Sequence, residues 1–505
     1  MQAGSIRFVS SRLLRDLVAV WLAGAFGVFA FAGIMGLGAL RWVAVLLSVG
    51  VAAGVGWVSW KRPVVPLEEK AASRALSIVF VLAAIVSLIQ LARLCVFIVN
   101  PAAVGYALGP SRGMGLPTSH LCTTAYFVAA QSIATGPNIY DEFTLYSLPQ
   151  QDPNARRTPR TIGPFDIDKY EYPPPFLLLP RTLAMVAPQF LNFRMLWFAL
   201  NGSLVLIGLL AVAQMFDPVI GTRVLLLSPL VLAADITIGT LQMGNLQAAV
   251  FSLAMLAMVF FAQRRYAAGG ALLAFVTVSK LFPGMLIVYL AVRREWRAVA
   301  WTTAFFAALV GISLLDTGRV PYVAFLDHLP RLLSGESFAA FRNNPGTVAK
   351  NLSVPGFLFK LELFGLPNGS FEVMKIVGSI YTLIVLAATI VVARRTPGRN
   401  VQPLIWLTIL ILASLRSPFL PRYELFAVLW LLTLLAATIV PSVRTLCLVL
   451  TAWAVLNFVI PTNSSDPRLL AAMALVSQAI IVVLLALALR HRQESSVAQP
   501  VGSPS

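Results

Sequence analysis

Residues able to do acid–base or anion chemistry are sparse in this 505-residue chain, so those that interrupt apolar runs carry weight. Lys280 stands inside the apolar run 267–292, close to Pro283. A charge at membrane depth is expensive and is a functional candidate by default. Lys280 reads either as a cation facing an anionic group or as a lysine snorkelling to the interface. Asp235 stands inside the run 224–239, near Gln242 and Asn245. Those two amides suit sugar hydroxyls, or helix–helix hydrogen bonds. Three histidines are present, and two lie in long loops. His120 precedes a helix-like stretch and is the only group there that titrates near neutrality, so it is a base or a helix cap. His328, beside Asp327 and ahead of Asn343-Asn344-Pro345, is a proton-transfer or substrate-holding residue, or an ordinary surface histidine. Asp141 follows Tyr140 and is either a catalytic acid or a turn residue. Asp166, Asp168 and Glu171 read first as a solvated acidic loop ahead of Tyr172. Arg416 and Arg422 flank a proline-rich turn and suit a phosphate, or anchor an interface.

The elements that position these residues are membrane helices. Hydrophobic residues make up 58% of the chain and charged residues 11%, against roughly 25% charge in a soluble globular chain. No soluble fold is compatible with that. A bilayer crossing takes roughly 20 apolar residues, and the backbone must bond internally, which selects helices. Crossings are expected at 17–37, 43–60, 75–99, 195–215, 224–239, 246–262, 299–315, 373–392, 403–415, 425–440, 446–460 and 469–489. The fold class is therefore an all-α polytopic bundle of about 11–14 transmembrane helices. Segments 173–190 and 267–292 are proline-broken and read as re-entrant, with Lys280 at the tip of the second. Residues 1–490 form one transmembrane domain, and 491–505 a disordered cytoplasmic tail.

Charge placement sets the orientation. The net charge of +18 is spread over short clusters between apolar runs, which excludes a nucleic-acid surface and matches cytoplasmic loops. Arg7, Arg12, Arg15, Lys61-Arg62, Arg264-Arg265, Arg293-Arg294 with Arg297, Arg394-Arg395 with Arg399, and Arg490 with Arg492 are expected inside. The two long loops, 100–172 and 316–372, are then extracytoplasmic, and 125–130 in the first reads as an amphipathic helix. The N-terminal run is too long for a cleaved signal peptide and reads as a retained helix. Cys95, Cys122 and Cys447 lack metal-ligand spacing and read as packing residues.

The order of several motifs resembles glycosyltransferase family 87. These are Ala125-Tyr-Phe-Val-Ala-Ala130, Gly136-Pro-Asn-Ile-Tyr140-Asp141 and Tyr170-Glu-Tyr172-Pro-Pro-Pro-Phe176. Gly239-Thr-Leu-Gln242-Met-Gly-Asn245, Ala268-Gly-Gly, Ser279-Lys280-Leu-Phe-Pro283 and Arg293-Arg-Glu-Trp296-Arg follow. Asn351-Leu-Ser353 and Arg416-Ser-Pro-Phe-Leu-Pro421-Arg422-Tyr423 complete the series, and the resemblance spans about 119–440. It implies a type C membrane fold and an inverting transfer on the extracytoplasmic face of a plasma (inner) membrane. The donor it implies is a mannose-like or arabinose-like sugar on a polyprenyl phosphate. The acceptor is a lipid-linked or cell-envelope glycan.

Under that resemblance His120, Asp141, Asp235 and His328 are the candidate catalytic residues. Lys280, Arg416 and Arg422 would hold the donor phosphate, and Tyr140, Tyr172, Gln242, Asn245 and Asn351 the sugar or acceptor. No metal or other cofactor is expected. The chain departs from the family in one respect. Its members carry an Asp shortly before the Tyr-Ala-Ala helix, whereas no acid occurs here between Glu69 and Asp141. A transporter or flippase for a lipid-linked substrate is the alternative, since a broken helix with a basic residue at the break suits one. A non-catalytic binder of lipid-linked glycans is the third reading.

Overall fold

A computed structural model describes residues 11–61, 71–107, 118–133, 136, 138–149, 158–338, 345–366, 369–395, 398–439, 442–457 and 466–491. Arg7, Arg62, Arg492, Asn343-Asn344 and the tail 492–505 lie outside the described residues. The chain is an all-α polytopic membrane protein. Among the described residues, seven helices are long and apolar enough to cross a bilayer. They are α1 (Ser11–Gly36), α2 (Arg41–Trp60), α3 (Ala71–Val99), α6 (Phe190–Ala213), α12 (Trp296–Thr317), α14 (Phe371–Ala393) and α18 (Pro467–Arg490). Between them run α4 (Cys122–Ser132), α5 (Leu178–Val186), α7 (Pro218–Leu232), α8 (Asp235–Met243), α9 (Gln247–Ala262), α10 (Tyr266–Ser279), α11 (Met285–Val292) and α13 (Val320–Ser334). Last come α15 (Gln402–Ser414), α16 (Phe426–Thr438) and α17 (Val443–Asn457).

Every expected crossing is helical, but several are shorter than a full span. Helices α7 and α8 pass the length test only together, bent by 62°, which gives up to eight crossings. The other apolar helices, among them α9, α15, α16 and α17, have 10–17 residues. Helices α9, α15 and α16 are buried along nearly their whole length. They sit inside the bundle, where neighbouring protein rather than lipid covers their ends, so a length below a full crossing is tolerated. Lipid-facing helices such as α2 keep the full length, with Trp42, Leu46 and Val49 more than 60% exposed.

One expectation for the first long loop needs correction. The helix expected to be amphipathic is α4, and it is buried almost all round, from Cys122 through Ala130. The same loop carries a two-stranded hairpin, β1 (Thr161–Ile162) and β2 (Phe165–Asp166). Arg194 on α6 fixes this loop to the bundle. Its Nη1 donates to the carbonyls of Phe97 and Ile98 at 3.1 and 3.2 Å. Its guanidinium lies 4.5 and 4.6 Å from the Phe97 and Phe165 rings. A buried cation so placed closes the orphan carbonyls at the end of α3.

The bundle has two unlike ends. At one, Arg293 donates to Arg395 O at 3.0 Å, Arg395 to Leu489 O at 2.9 Å, and Arg399 to Met215 O at 2.9 Å. At the other, α12 finishes at Asp316, which pairs with Arg181 at 2.7 Å, and the long loops close over a cavity.

Candidate functional site

A cavity of about 1350 Å³ opens among the first long loop, the α10–α11 break, α13 and the 416–424 turn. Lys280 sits at that break. Helix α10 stops at Ser279, Lys280 takes an extended backbone (φ −142°, ψ 127°), and a 3-10 turn with Pro283 leads into α11. The break turns the side chain into the cavity, where Nζ donates to Gln247 Oε1 at 2.6 Å. Glu424 Oε1 lies 3.5 Å from the same Nζ and also accepts from Asn245 Nδ2 at 3.3 Å. The Tyr172 ring is 5.6 Å from Nζ.

Gly244 aims Asn245 into this group. It ends α8 in the left-handed region (φ +65°), and a Cβ there would come within 2.1 Å of Thr123 Cγ2. Its carbonyl accepts from Trp197 Nε1 at 2.8 Å. Asn245 Oδ1 then caps Gln247 N at 2.8 Å, so its amide points to Glu424.

Two imidazole–carboxylate pairs face the cavity. His120 Nδ1 lies 2.7 Å from Asp168 Oδ2, and Nε2 meets the Tyr423 hydroxyl at 2.9 Å. Burial pulls the His120 imidazole down, but the charge and hydrogen bond of Asp168 outweigh it, with help from Cys122, and hold the ring well above its ordinary range. His328 Nε2 lies 2.6 Å from Glu171 Oε2, and the Tyr140 ring stacks on it at 5.4 Å. Lys169 bridges Glu171 at 3.3 Å and Glu142 at 3.8 Å. Asp141 lines the cavity and also caps a short helix, accepting from Phe143 N at 3.1 Å and Thr144 Oγ1 at 2.6 Å.

Of the residues singled out in the sequence, the cavity brings together His120, Asp141, His328, Lys280, Arg416, Tyr140, Tyr172 and Asn245. Arg416 donates only to neutral oxygens, Thr382 Oγ1 at 3.3 Å and Leu333 O at 3.4 Å. No carboxylate pairs with it among the described residues. Four others stand outside the lining. Asp235 and Arg422 pair with each other at 3.5 Å, and Arg422 also donates to Leu456 O at 3.1 Å. Gln242 is buried in α8. Asn351 staples the proline-rich turn, donating to Pro418 O and accepting from Leu420 N, each at 2.9 Å.

Sequence reading alone assigned no role to Glu424 or Gln247, showed Tyr423 only as part of a motif, and made Asp168 and Glu171, the partners of the two histidines, look first like a solvated acidic loop. Glu424 had a signal, since it is the only acid between Glu372 and Asp466. His120, Cys122 and Asp168 place possible metal ligands within 4.8 Å of one another. A tetrahedral ion with bonds near 2.1 Å holds its ligands about 3.4 Å apart. The 2.7 Å between Nδ1 and Oδ2 is shorter than that, so as placed the two atoms bond each other.

The structure is thus that of a polytopic membrane protein with a polar, ion-paired cavity at one end of its bundle. Residues 170–418 match the model of glycosyltransferase family 87, and through that segment the chain belongs to this family and is a glycosyltransferase. No curated protein and no solved structure matches the chain. The matched segment holds Lys280, His328 and Arg416, whereas His120, Asp168 and Tyr423 fall beyond its ends.

Proposed function

We propose that the enzyme transfers a mannose-like or arabinose-like sugar from a polyprenyl-phosphate donor to a lipid-linked or cell-envelope glycan, with inversion, on the extracytoplasmic face. The observation that carries this is the cavity itself. One concave site combines cations for a phosphate (Lys280 and Arg416) with imidazoles and carboxylates for proton transfer. Inverting transfer needs both at once: a base on the acceptor hydroxyl and compensation of the charge developing on the leaving phosphate. Of these two, Arg416 has no carboxylate partner among the described residues, and Lys280 shares its charge with Glu424. Neutral amides and phenols, Asn245, Tyr140 and Tyr172, suit sugar hydroxyls.

The unlike ends support this orientation. The end whose arginines sit in short loops reads as cytoplasmic, which would open the cavity on the other side of a plasma (inner) membrane. A lipid-linked donor is the kind available there.

Sugar transfer in proteoliposomes tests the reading. Polyprenyl-phosphate mannose or arabinose, radiolabelled, is offered with a membrane lipid extract as acceptor. The expected result is label in a new glycolipid, lost on Arg416→Ala. Labelled lipid that crosses the bilayer with no product would instead favour a transporter.

A further inference from the structure

We propose that His120 and Asp168 form an imidazole–carboxylate base that takes the proton of the acceptor hydroxyl. The proposal rests on the transferase reading above. Asp168 holds Nδ1 at 2.7 Å. A carboxylate there keeps the ring proton on Nδ1 and leaves the Nε2 lone pair free to accept. His120 lines the cavity, and its Nε2 meets one hydroxyl already, that of Tyr423 at 2.9 Å. An acceptor hydroxyl that takes the place of the Tyr423 hydroxyl at this nitrogen finds the geometry a base requires.

The loop is tied so that this pair is held before substrate arrives. Asp166 N donates to Thr118 O at 3.0 Å, on the His120 side. Thr124, in the first turn of α4, accepts from Asp168 N at 2.9 Å, and its hydroxyl reaches Leu121 O at 2.7 Å. Two stretches of chain far apart in sequence are thus tied on either side of the pair, once backbone to backbone and once backbone to side chain. Other candidate bases in the cavity have different engagements. Asp141 accepts two hydrogen bonds from its own turn, Glu424 sits on Lys280, and the Nε2 of His328 is taken by Glu171.

In the step, the acceptor O–H bond breaks and its oxygen bonds the anomeric carbon. The bond from that carbon to the phosphate oxygen breaks, and the electron pair leaves on the polyprenyl phosphate. The proton goes to Nε2, and the imidazolium is stabilised by the Asp168 carboxylate on its far side. His120 is the catalytic residue here and Asp168 the positioning residue.

The test uses the full chain in proteoliposomes, measuring transfer across a pH series for wild type, His120→Gln, Asp168→Asn and Asp168→Glu. Carbethoxylation of His120 is followed in parallel by mass spectrometry of its peptide. The base must be neutral to act, and Asp168 holds the imidazole up, so the wild-type rate should climb with pH through a limb above the ordinary histidine range. His120→Gln should lower kcat by about 10²–10⁴-fold. Asp168→Asn should lower kcat by about 10–10²-fold with acceptor KM little changed, and move the limb to lower pH. Asp168→Glu should recover part of the rate and return the limb. A wild-type pH profile in Asp168→Asn, or kcat within about threefold of wild type in His120→Gln, overturns the proposal. Absence of transfer by wild type under every condition sinks the transferase reading and the base role with it. The pH dependence of carbethoxylation then still reports whether Asp168 controls the ring.

Discussion

At the scale of single residues, the cavity separates groups that do chemistry from groups that hold backbone. Asp141 and Asn351 show how sequence alone blurs the two. Both sit at family-like positions, and both spend their side chains on local hydrogen bonds. Asparagine caps a helix about as well as aspartate. Asp141→Asn should therefore keep the turn and hold transfer within about threefold of wild type. Loss of all transfer at unchanged expression and thermal midpoint would show that the carboxylate itself takes part. Lys280 was legible because one charge in an apolar run has few bland explanations. Asp168 was not, because an acid in a polar loop ordinarily faces water, and nothing local marks it as the partner of His120. Tyr423 was legible only as part of a proline-rich turn. Its contact with His120 spans 303 residues of sequence, and no periodicity encodes such a pairing.

Among the elements, breaks matter more than spans. Periodic apolar length located every long helix, since the bilayer imposes that length directly. It could not say which apolar helices run the full thickness, because α9, α15 and α16 are shielded by their neighbours. The two breaks that build the site are of different kinds. At Lys280 the chain leaves helix under a proline two residues beyond Leu281, and composition announces it. At Gly244 the chain turns through the left-handed region, and that φ together with the contact with Thr123 explains why glycine is needed. Gly244→Ala combines a strained φ with a clash against α4. It should cost about 2–5 kcal/mol, the sum of a left-handed penalty and overpacking. A thermal midpoint in detergent measures it. The same substitution should also displace Asn245 from Glu424, so residual folded protein should transfer sugar more slowly. An unchanged midpoint would mean that Thr123 and Trp197 move aside without cost.

Across the whole molecule, charge and cavity lie at opposite ends, and that polarity decides which donors the site can meet. Arg293, Arg395 and Arg399 bind main-chain carbonyls of Arg395, Leu489 and Met215 at the first end. Arg331 and Arg416 line the cavity at the second. Both ends carry arginine, so counting basic residues alone would not orient the protein. The rule weighs short loops beside the helix ends and discounts long ones, and the first end has the short loops. Cys95 and Cys122 are buried and Cys447 is exposed, so Cys447→Ser gives a background quiet toward thiol reagents. In that background, Arg331→Cys at the cavity rim and Arg297→Cys at the start of α12 report on the two ends. A membrane-impermeant maleimide added to intact cells should label Arg331→Cys, and should reach Arg297→Cys only after permeabilisation. The reverse pattern would open the cavity to the cytoplasm. Nucleotide sugars are available there, so a polyprenyl-phosphate donor would no longer be required, whereas the His120–Asp168 pair would remain able to act on the acceptor.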